Sequence, residues 1–330
     1  MSPSEVLAQR NAMPSATPRI WIPLGVLLLL LCVAPALGLK GFVQSLIIEI
    51  LVFSLLALSL NVLVGYVGLV SFGHAAFFAI AGYAIGIIGS HWTTEILIAL
   101  PLSILCATLC AIPLGLLSIR LSGFYFLMIT FAFAQIVFVA AFRWKGLTGG
   151  SDGMSVRGPT LFGAPVLQSR ESLYFFVLLV FVVCTVLLYV LMTSQFGKIL
   201  IGIRESTPRM RALGYNVRRY KLGAFVLAAT FAGVAGALNS LFNLFIAPEA
   251  AHWTQSSLVL VMVLIGGAGY FVGPLIGATI VLLLQHWLSS YTEYWGLVLG
   301  ILFIALITGA RAGVAGLSVR VWQQVTGGSR

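Results

Sequence analysis

The sequence predicts an all-α, polytopic integral membrane protein, a helical bundle of about eight to ten transmembrane or re-entrant helices. Three observations predict it. Hydrophobic residues make up 60% of the 330 and Asp, Glu, Lys and Arg only 8%, against roughly 25% charged residues in a soluble domain that must face water. Apolar runs long enough to cross a hydrocarbon core recur from residue 20 to residue 308, each needing about 20 residues to span. Glycine is frequent, at 35 residues, which suits helices that pack closely where no hydrophobic effect draws them together.

The runs follow in order. Residues 1–19, rich in Ser, Pro and Ala, read as a loosely ordered cytoplasmic leader. The run 20–39 lacks a small-residue cleavage pattern and reads as a retained span rather than a signal peptide. Further spans are expected over 42–64, 67–90, 96–119, 123–142, 173–193 and 222–246. The stretch 257–289 is too long for one upright helix and is interrupted at Gly273-Pro274, so it reads as two short or re-entrant segments. A last run covers 294–308, and the membrane domain as a whole covers 20–310, followed by a cytoplasmic tail over 311–330.

Charge gives the orientation. The loop 194–221 carries Lys198, Arg204, Arg209, Arg211, Arg218, Arg219 and Lys221 against Glu205, which places it in the cytoplasm. Arg10, Arg19, Arg311, Arg320 and Arg330 place both termini there too. The loop 143–171 then falls outside, although it carries Arg143, Lys145, Arg157 and Arg170. The net charge of +10 follows from such cytoplasmic loops and not from nucleic-acid binding.

Several chemistries are excluded. The chain has no phosphate-binding Gly-x-x-x-x-Gly-Lys-Ser/Thr loop, no His-Glu-x-x-His or Cys-x-x-Cys metal pair and no Gly-x-Ser-x-Gly elbow, so no catalytic, metal or cofactor residue is assigned. Cys32, Cys106, Cys110 and Cys184 lie in apolar runs and read as core hydrophobes. Acids in the spans are few, Glu49 being the clear case, with Glu249 and Glu293 near span ends. That disfavours a self-contained secondary carrier, which needs buried ionisable groups; a polytopic membrane enzyme is weaker still.

The loop 194–221 has helix punctuation within it. Thr207 suits an N-cap, Pro208 the first helical position and Gly214 the residue just past the end. Met210 and Leu213 lie three apart and share a face, with Arg209 and Arg211 around them. The spacing fits equally a short knob docked into another protein and a basic loop against anionic headgroups.

The segment Gly65-Tyr66-Val67-Gly68-Leu69-Val70-Ser71-Phe72-Gly73-His74 weakens a helix. A broken helix at membrane depth lines a path or is buried in protein, and a tight turn at the inner surface fits equally well. Glu49, Asn61, Ser71, Gly73 and His74 are the candidate path residues; His74 read alone is more often a core histidine, and bridging between helices is the safer reading for Asn61, Gln135, Asn239 and Asn243. Glu49 is expected to face the pore or a partner rather than lipid. Small residues four apart, at Gly82/Gly86, Ala229/Gly233/Ala237 and Gly269/Gly273/Gly277, read as close-packing stripes. In the outer loop, Thr148, Gly149, Gly150, Asp152 and Gly153 form a turn-rich candidate for an external gate or a binding-protein contact, with a plain surface turn as the alternative.

Four blocks carry a family resemblance. They are the stretch from Asn61 to Phe77, Leu147-Thr148-Gly149-Gly150-Ser151-Asp152-Gly153-Met154, the stretch from Gly197-Lys198 through Arg204-Glu205 and Ala212-Leu213-Gly214-Tyr215-Asn216 to Leu238, and Leu264-Ile265-Gly266-Gly267-Ala268-Gly269 with Gly273-Pro274-Leu275-Ile276-Gly277-Ala278. In this order they resemble the LivM-type permease subunits of branched-chain amino acid ABC importers. The departure is Arg311-Ala312-Gly313-Val314, where the family has a Pro-Arg-Gly-Leu-like turn.

The resemblance implies a permease of the bacterial inner (plasma) membrane with no catalytic residues. Its implied partners are ABC ATPase subunits, a second homologous permease subunit and a periplasmic solute-binding protein. It also implies a coupling helix that enters the ATPase, here carried by Glu205, Pro208, Arg209, Met210, Arg211, Leu213 and Gly214. The implied substrates are branched-chain or other hydrophobic amino acids, with urea or another small polar solute as the alternative.

Overall fold

The computed structural model describes residues 41–165, 167, 169–291, 296–298, 300–301, 303 and 313–314. The leader, the run 20–39, most of the run 294–308 and nearly all of the tail lie outside the described residues. The chain divides into two units at Ser45. The first contributes the opening turn of a helix, where the Ser45 hydroxyl donates to the Gly41 carbonyl at 3.2 Å. Everything below concerns the second.

Among the described residues six helices are long and apolar enough to cross a membrane. They are α1 (Phe42–Asn61, continued by a π turn over Val62–Val67), α2 (His74–His91), α3 (Ile96–Ser118), α4 (Phe124–Arg143), α5 (Arg170–Thr193) and α8 (Val217–Asn243). Between α5 and α8 come α6 (Gln195–Glu205) and α7 (Thr207–Ala212). After α8 come α9 (Trp253–Gly266) and α10 (Gly273–Ser289). At 14 and 17 residues, these two rise about 21 and 26 Å, short of a hydrocarbon core of about 30 Å. The expected division of 257–289 is therefore observed, with the break at residues 267–272.

The bundle is layered by burial. The spanning windows of α1, α2 and α8 are 72% buried, while those of α3 and α4 are 28% and 22% buried. The central packing is between α8, α2 and α3, and small residues make it possible. A Cβ on Gly236 of α8 would overlap the Phe78 carbonyl of α2, and one on Gly82 would overlap Ser240 and Ile246. Ala229, Gly233 and Ala237 are all buried on α8. Phe225 stands edge-on to Phe77 and Phe126, with ring centroids 5.6 and 6.1 Å apart. Cys184 is buried, but Cys110 lies on the exposed face of α3, so that cysteine is not a core residue.

The stripe expected through Gly269, Gly273 and Gly277 is not continuous. Gly269 lies in the non-helical break with φ +92°. Only Gly273 and Gly277 share α10, where a Cβ on Gly273 would overlap the Gly267 and Gly266 carbonyls and one on Gly277 the Met262 carbonyl of α9.

The loop after α4 is stitched to the segment after α8. The two-residue strands β1 (Met154–Ser155) and β2 (Phe245–Ile246) pair antiparallel, and the Val156 amide donates to the Leu244 carbonyl at 2.9 Å. The α2–α3 turn joins them, since the Thr160 amide donates to Thr94 and the Ile96 amide donates to Thr160. These segments occupy the end of α5 and α8 opposite to α6 and α7.

Candidate functional site

Three helix starts organise residues 194–221, each with a side-chain oxygen accepting from a backbone amide. Ser194 accepts from Phe196, Ser206 from Arg209 and Asn216 from Arg219. Ser206, not Thr207, is thus the N-cap of α7, and Pro208 stands in its first turn. The helix ends as the sequence predicts. Gly214 has φ +85°, its amide donates to the Arg211 carbonyl, and the Tyr215 amide donates to the Met210 carbonyl, the paired bonds of a Schellman motif.

The face of α7 differs from the expectation. Met210 is buried and packs with Ile203 and Val217, flanked by Ile199 and Tyr220. Leu213, three residues on, is 66% exposed. Leu213 is the residue that ends the helix, and the cluster around Met210 does not reach it. Glu205, Pro208, Arg209 and Arg211 are exposed beside it. A shallow depression of about 440 Å³ opens next to α7, lined by Phe196, Gly214, Tyr215, Asn216, Arg219 and Tyr220. What α7 presents is therefore a small cationic knob with Leu213 exposed at its end.

The glycine-rich break is built into the protein interior. After the π turn, Gly68 (φ +78°) closes α1 with its amide on Leu63. The first donors of α2 are then satisfied from other helices. The Phe72 amide donates to Thr130 Oγ1 of α4 at 3.2 Å, and the Ala75 amide donates to Ser256 Oγ of α9 at 2.9 Å. The Gly73 amide donates to Ser71 Oγ at 3.3 Å. Ser71 is fully buried, and His74 is 1% exposed.

His74 Nε2 lies 2.9 Å from Ser59 Oγ, whose own proton goes to the Leu56 carbonyl at 2.7 Å. A hydroxyl has one proton, so in this arrangement Nε2 is the donor to Ser59. Asn61 is also buried, and its amide grips the break between α9 and α10 at two points. Oδ1 accepts from the Gly269 amide and Nδ2 donates to the Tyr270 carbonyl, both at 3.1 Å. Glu49 does not join this group. Its Oε2 lies 2.9 Å from Nε2 of His286 on α10, each side chain 30% exposed.

In the group from Thr148 to Gly153, Thr148 Oγ1 donates into the end of α4, with the Ala141 and Trp144 carbonyls at 2.6 and 2.8 Å. Gly149, Gly150 and Gly153 all have positive φ. Gly153 sits where a Cβ would strike Phe245 and the β2 backbone. Asp152 is exposed and accepts from the Ser151 hydroxyl at 3.1 Å. The group is a folded turn sealed against β2, and the structure brings it near neither α7 nor the His74 break.

The family model for the branched-chain amino acid transport system permease component matches residues 42–307, most of the chain. The chain belongs to this family. It is similar to the high-affinity branched-chain amino acid transport system permease protein LivM of Escherichia coli (strain K12), with 30% identity over 86% of this chain and 72% of that protein. The LivM of Salmonella typhimurium is 29% identical over 78% of this chain and 66% of its own length. A probable LivM of Methanocaldococcus jannaschii is 24% identical over 76% and 82%. No solved structure matches significantly.

Membership makes the chain a multi-pass membrane permease component rather than an enzyme. It also puts the resembling blocks in context, because in this permease three of them meet. The α1 break, the α9–α10 break and the residues before α7 lie against one another through Asn61 and Arg204, whose Nη1 donates to the Gly65 carbonyl. Arg204 entered the sequence reading as one basic residue among several and as part of a resembling block, with no role of its own, and Ser59, Thr130, Ser256 and His286 were missed. Ser206 was legible as a capping hydroxyl one position early. The Gly65 and Tyr270 carbonyls, being backbone, leave no signal in a sequence.

Proposed function

We propose that this chain is the membrane-spanning subunit of an ATP-driven ABC importer for branched-chain or other hydrophobic amino acids, delivered by a solute-binding protein. The observation that carries the reading is the knob formed by α7. It is capped at both ends, held to its own chain by Met210, and presents exposed Arg209, Arg211 and Leu213 to an acidic-rimmed apolar cleft of an ATPase subunit. A second, homologous permease completes the path. The end carrying α6 and α7 faces the cytoplasm, and the Thr148–Gly153 turn faces outward toward the binding protein. The basic residues of 194–221 support this orientation.

The hydroxyl-lined break at Ser71, Gly73 and His74 is the part of the path closed in this conformation. Opening it requires Thr130 and Ser256 to release the amides that a substrate carboxylate could then use.

Reconstitution of the complex in proteoliposomes tests the reading. Uptake of labelled leucine should require ATP on the α7 side and the loaded binding protein on the other. Uptake without ATP overturns the ATP-driven reading, and uptake of urea but not leucine overturns the substrate class. Cysteine placed at Ser206 should resist an impermeant reagent in intact cells, and cysteine at Ser151 should react.

A further inference from the structure

Three glycines from two broken segments form a notch, and one side chain from a third element fills it. Gly65 lies within the π turn at the end of α1 and Gly68 closes it, and Gly269 lies in the α9–α10 break. Arg204 is in the last turn of α6. Its Nη1 donates to the Gly65 carbonyl. Its Cγ passes so close to Gly68 that a Cβ there would lie 2.8 Å away, and Nη1 would lie 3.3 Å from a Cβ on Gly269. A Cβ on Gly68 would press on the Arg204 stem, and one on Gly65 would overlap Asn61 Oδ1 and the Gly269 backbone, so the close approach of the three elements depends on these glycines.

Asn61 closes its other side. It bonds the Gly269 amide and the Tyr270 carbonyl, so the two breaks are tied to each other. Helices α6 and α7 are also packed together, since Met210 of α7 is buried on Ile203, the residue before Arg204, and on Val217.

We infer that Arg204 is the positioning residue that carries movement of α7 into the broken-helix layer. A displacement of the knob moves α6 through Met210. Arg204 then moves the Gly65 carbonyl, and Asn61 carries the α9–α10 break along. A π turn and a non-helical break are where such a movement meets least resistance, because neither has a full ladder of helical hydrogen bonds to stretch. Arg204 is an exposed residue, and its removal takes nothing from the hydrophobic core. The guanidinium is suited to the task because its donors are planar and fixed, where an ammonium is a single mobile point.

The inference rests on the reading of α7 as the ATPase contact, and the test separates the two. In the reconstituted complex with its ATPase and loaded binding protein, Arg204→Ala, Arg204→Lys and Leu213→Asp are compared for assembly, thermal melting, unstimulated ATP hydrolysis and its stimulation. The expected result for Arg204→Ala is normal assembly and melting, unstimulated hydrolysis within about twofold, and loss of stimulation and uptake within the range of about 5- to 150-fold typical of coupled sites. Arg204→Lys, which keeps charge and one donor, should recover part of it.

Wild-type stimulation in Arg204→Ala with uncoupling in Leu213→Asp overturns the relay and leaves the α7 reading standing. Normal coupling in Leu213→Asp overturns the α7 reading, and the relay with it. Equal loss of melting temperature in Ala and Lys variants, with stimulation falling only as folded protein is lost, makes Arg204 a structural residue and also overturns the relay.

Discussion

Met210 and Leu213 stand three residues apart at the end of one short helix and differ in burial, Met210 packing against Ile203 and Val217 of its own chain while Leu213 is 66% exposed. This separates two properties that one substitution would otherwise confound. Met210→Asp buries a charge and removes packing, and should destabilise the α6–α7 pair by about 2–4 kcal/mol. Leu213→Asp should change stability by less than about 0.5 kcal/mol, as at other exposed sites, while lowering substrate-stimulated ATP hydrolysis in the assembled complex. Thermal melting and ATP hydrolysis measured on both variants check it; a stable, coupled Leu213→Asp would show that the tip of α7 touches nothing.

Gly214 isolates the backbone contribution. A Cβ at this position meets no atom within 4 Å, yet its φ is +85°. The cost of a side chain is therefore conformational alone, on the order of 1 kcal/mol for alanine. Asparagine tolerates the left-handed region better than other non-glycine residues. Gly214→Asn should therefore lose less coupling than Gly214→Ala, and Gly214→Val should lose the most, with membrane insertion normal in all three. The order Asn, Ala, Val in stimulated hydrolysis is the outcome to look for, and an unordered series would place the defect elsewhere.

How far the sequence reached is clearest in this region. Hydropathy located the spans because lipid demands about 20 apolar residues whatever their partners are, and Pro208 and Gly214 marked the ends of α7 because their backbone preferences are local. The N-cap shifted from Thr207 to Ser206 because both hydroxyls can cap and spacing does not choose between them. The burial of Met210 depends on Ile203 and Val217 folding back from neighbouring helices, which local periodicity cannot register. Asn61 was readable as a polar residue in a span. Its partners, 208 and 209 residues away, are backbone groups exposed only because the α9–α10 segment breaks where it does.

Packing between α2 and α8 gives a paired test on two helical glycines. A methyl group on Gly236 would overlap the Phe78 backbone carbonyl, whereas one on Gly89 of α2 meets nothing within 4 Å. Backbone cannot yield as a side-chain tip can, so Gly236→Ala should cost about 1–3 kcal/mol through overpacking. Gly89→Ala should be neutral or gain up to about 1 kcal/mol from helix propensity. Melting of the purified detergent-solubilised protein distinguishes them, and equal melting temperatures would mean that α2 and α8 are not in backbone contact.

The Glu49–His286 pair yields the last prediction. Both residues lie on apolar helices, 2.9 Å apart and each 30% exposed, so neither is free to reach bulk water as a surface residue would. A carboxylate left in a span without its partner is costly, by about 2.5–3.5 kcal/mol at the centre of a helix on insertion scales. Removing one partner of such a pair should therefore cost more than removing both. His286→Leu alone should lower stability most, and Glu49→Leu with His286→Leu should recover much of that loss. A double-mutant cycle in melting experiments gives the coupling directly. Should the double variant remain stable but fail in uptake, the pair serves transport. If it transports normally, Glu49 is held in the membrane as an interhelical tie between α1 and α10, and the translocation path is left to the break at Ser71, Gly73 and His74.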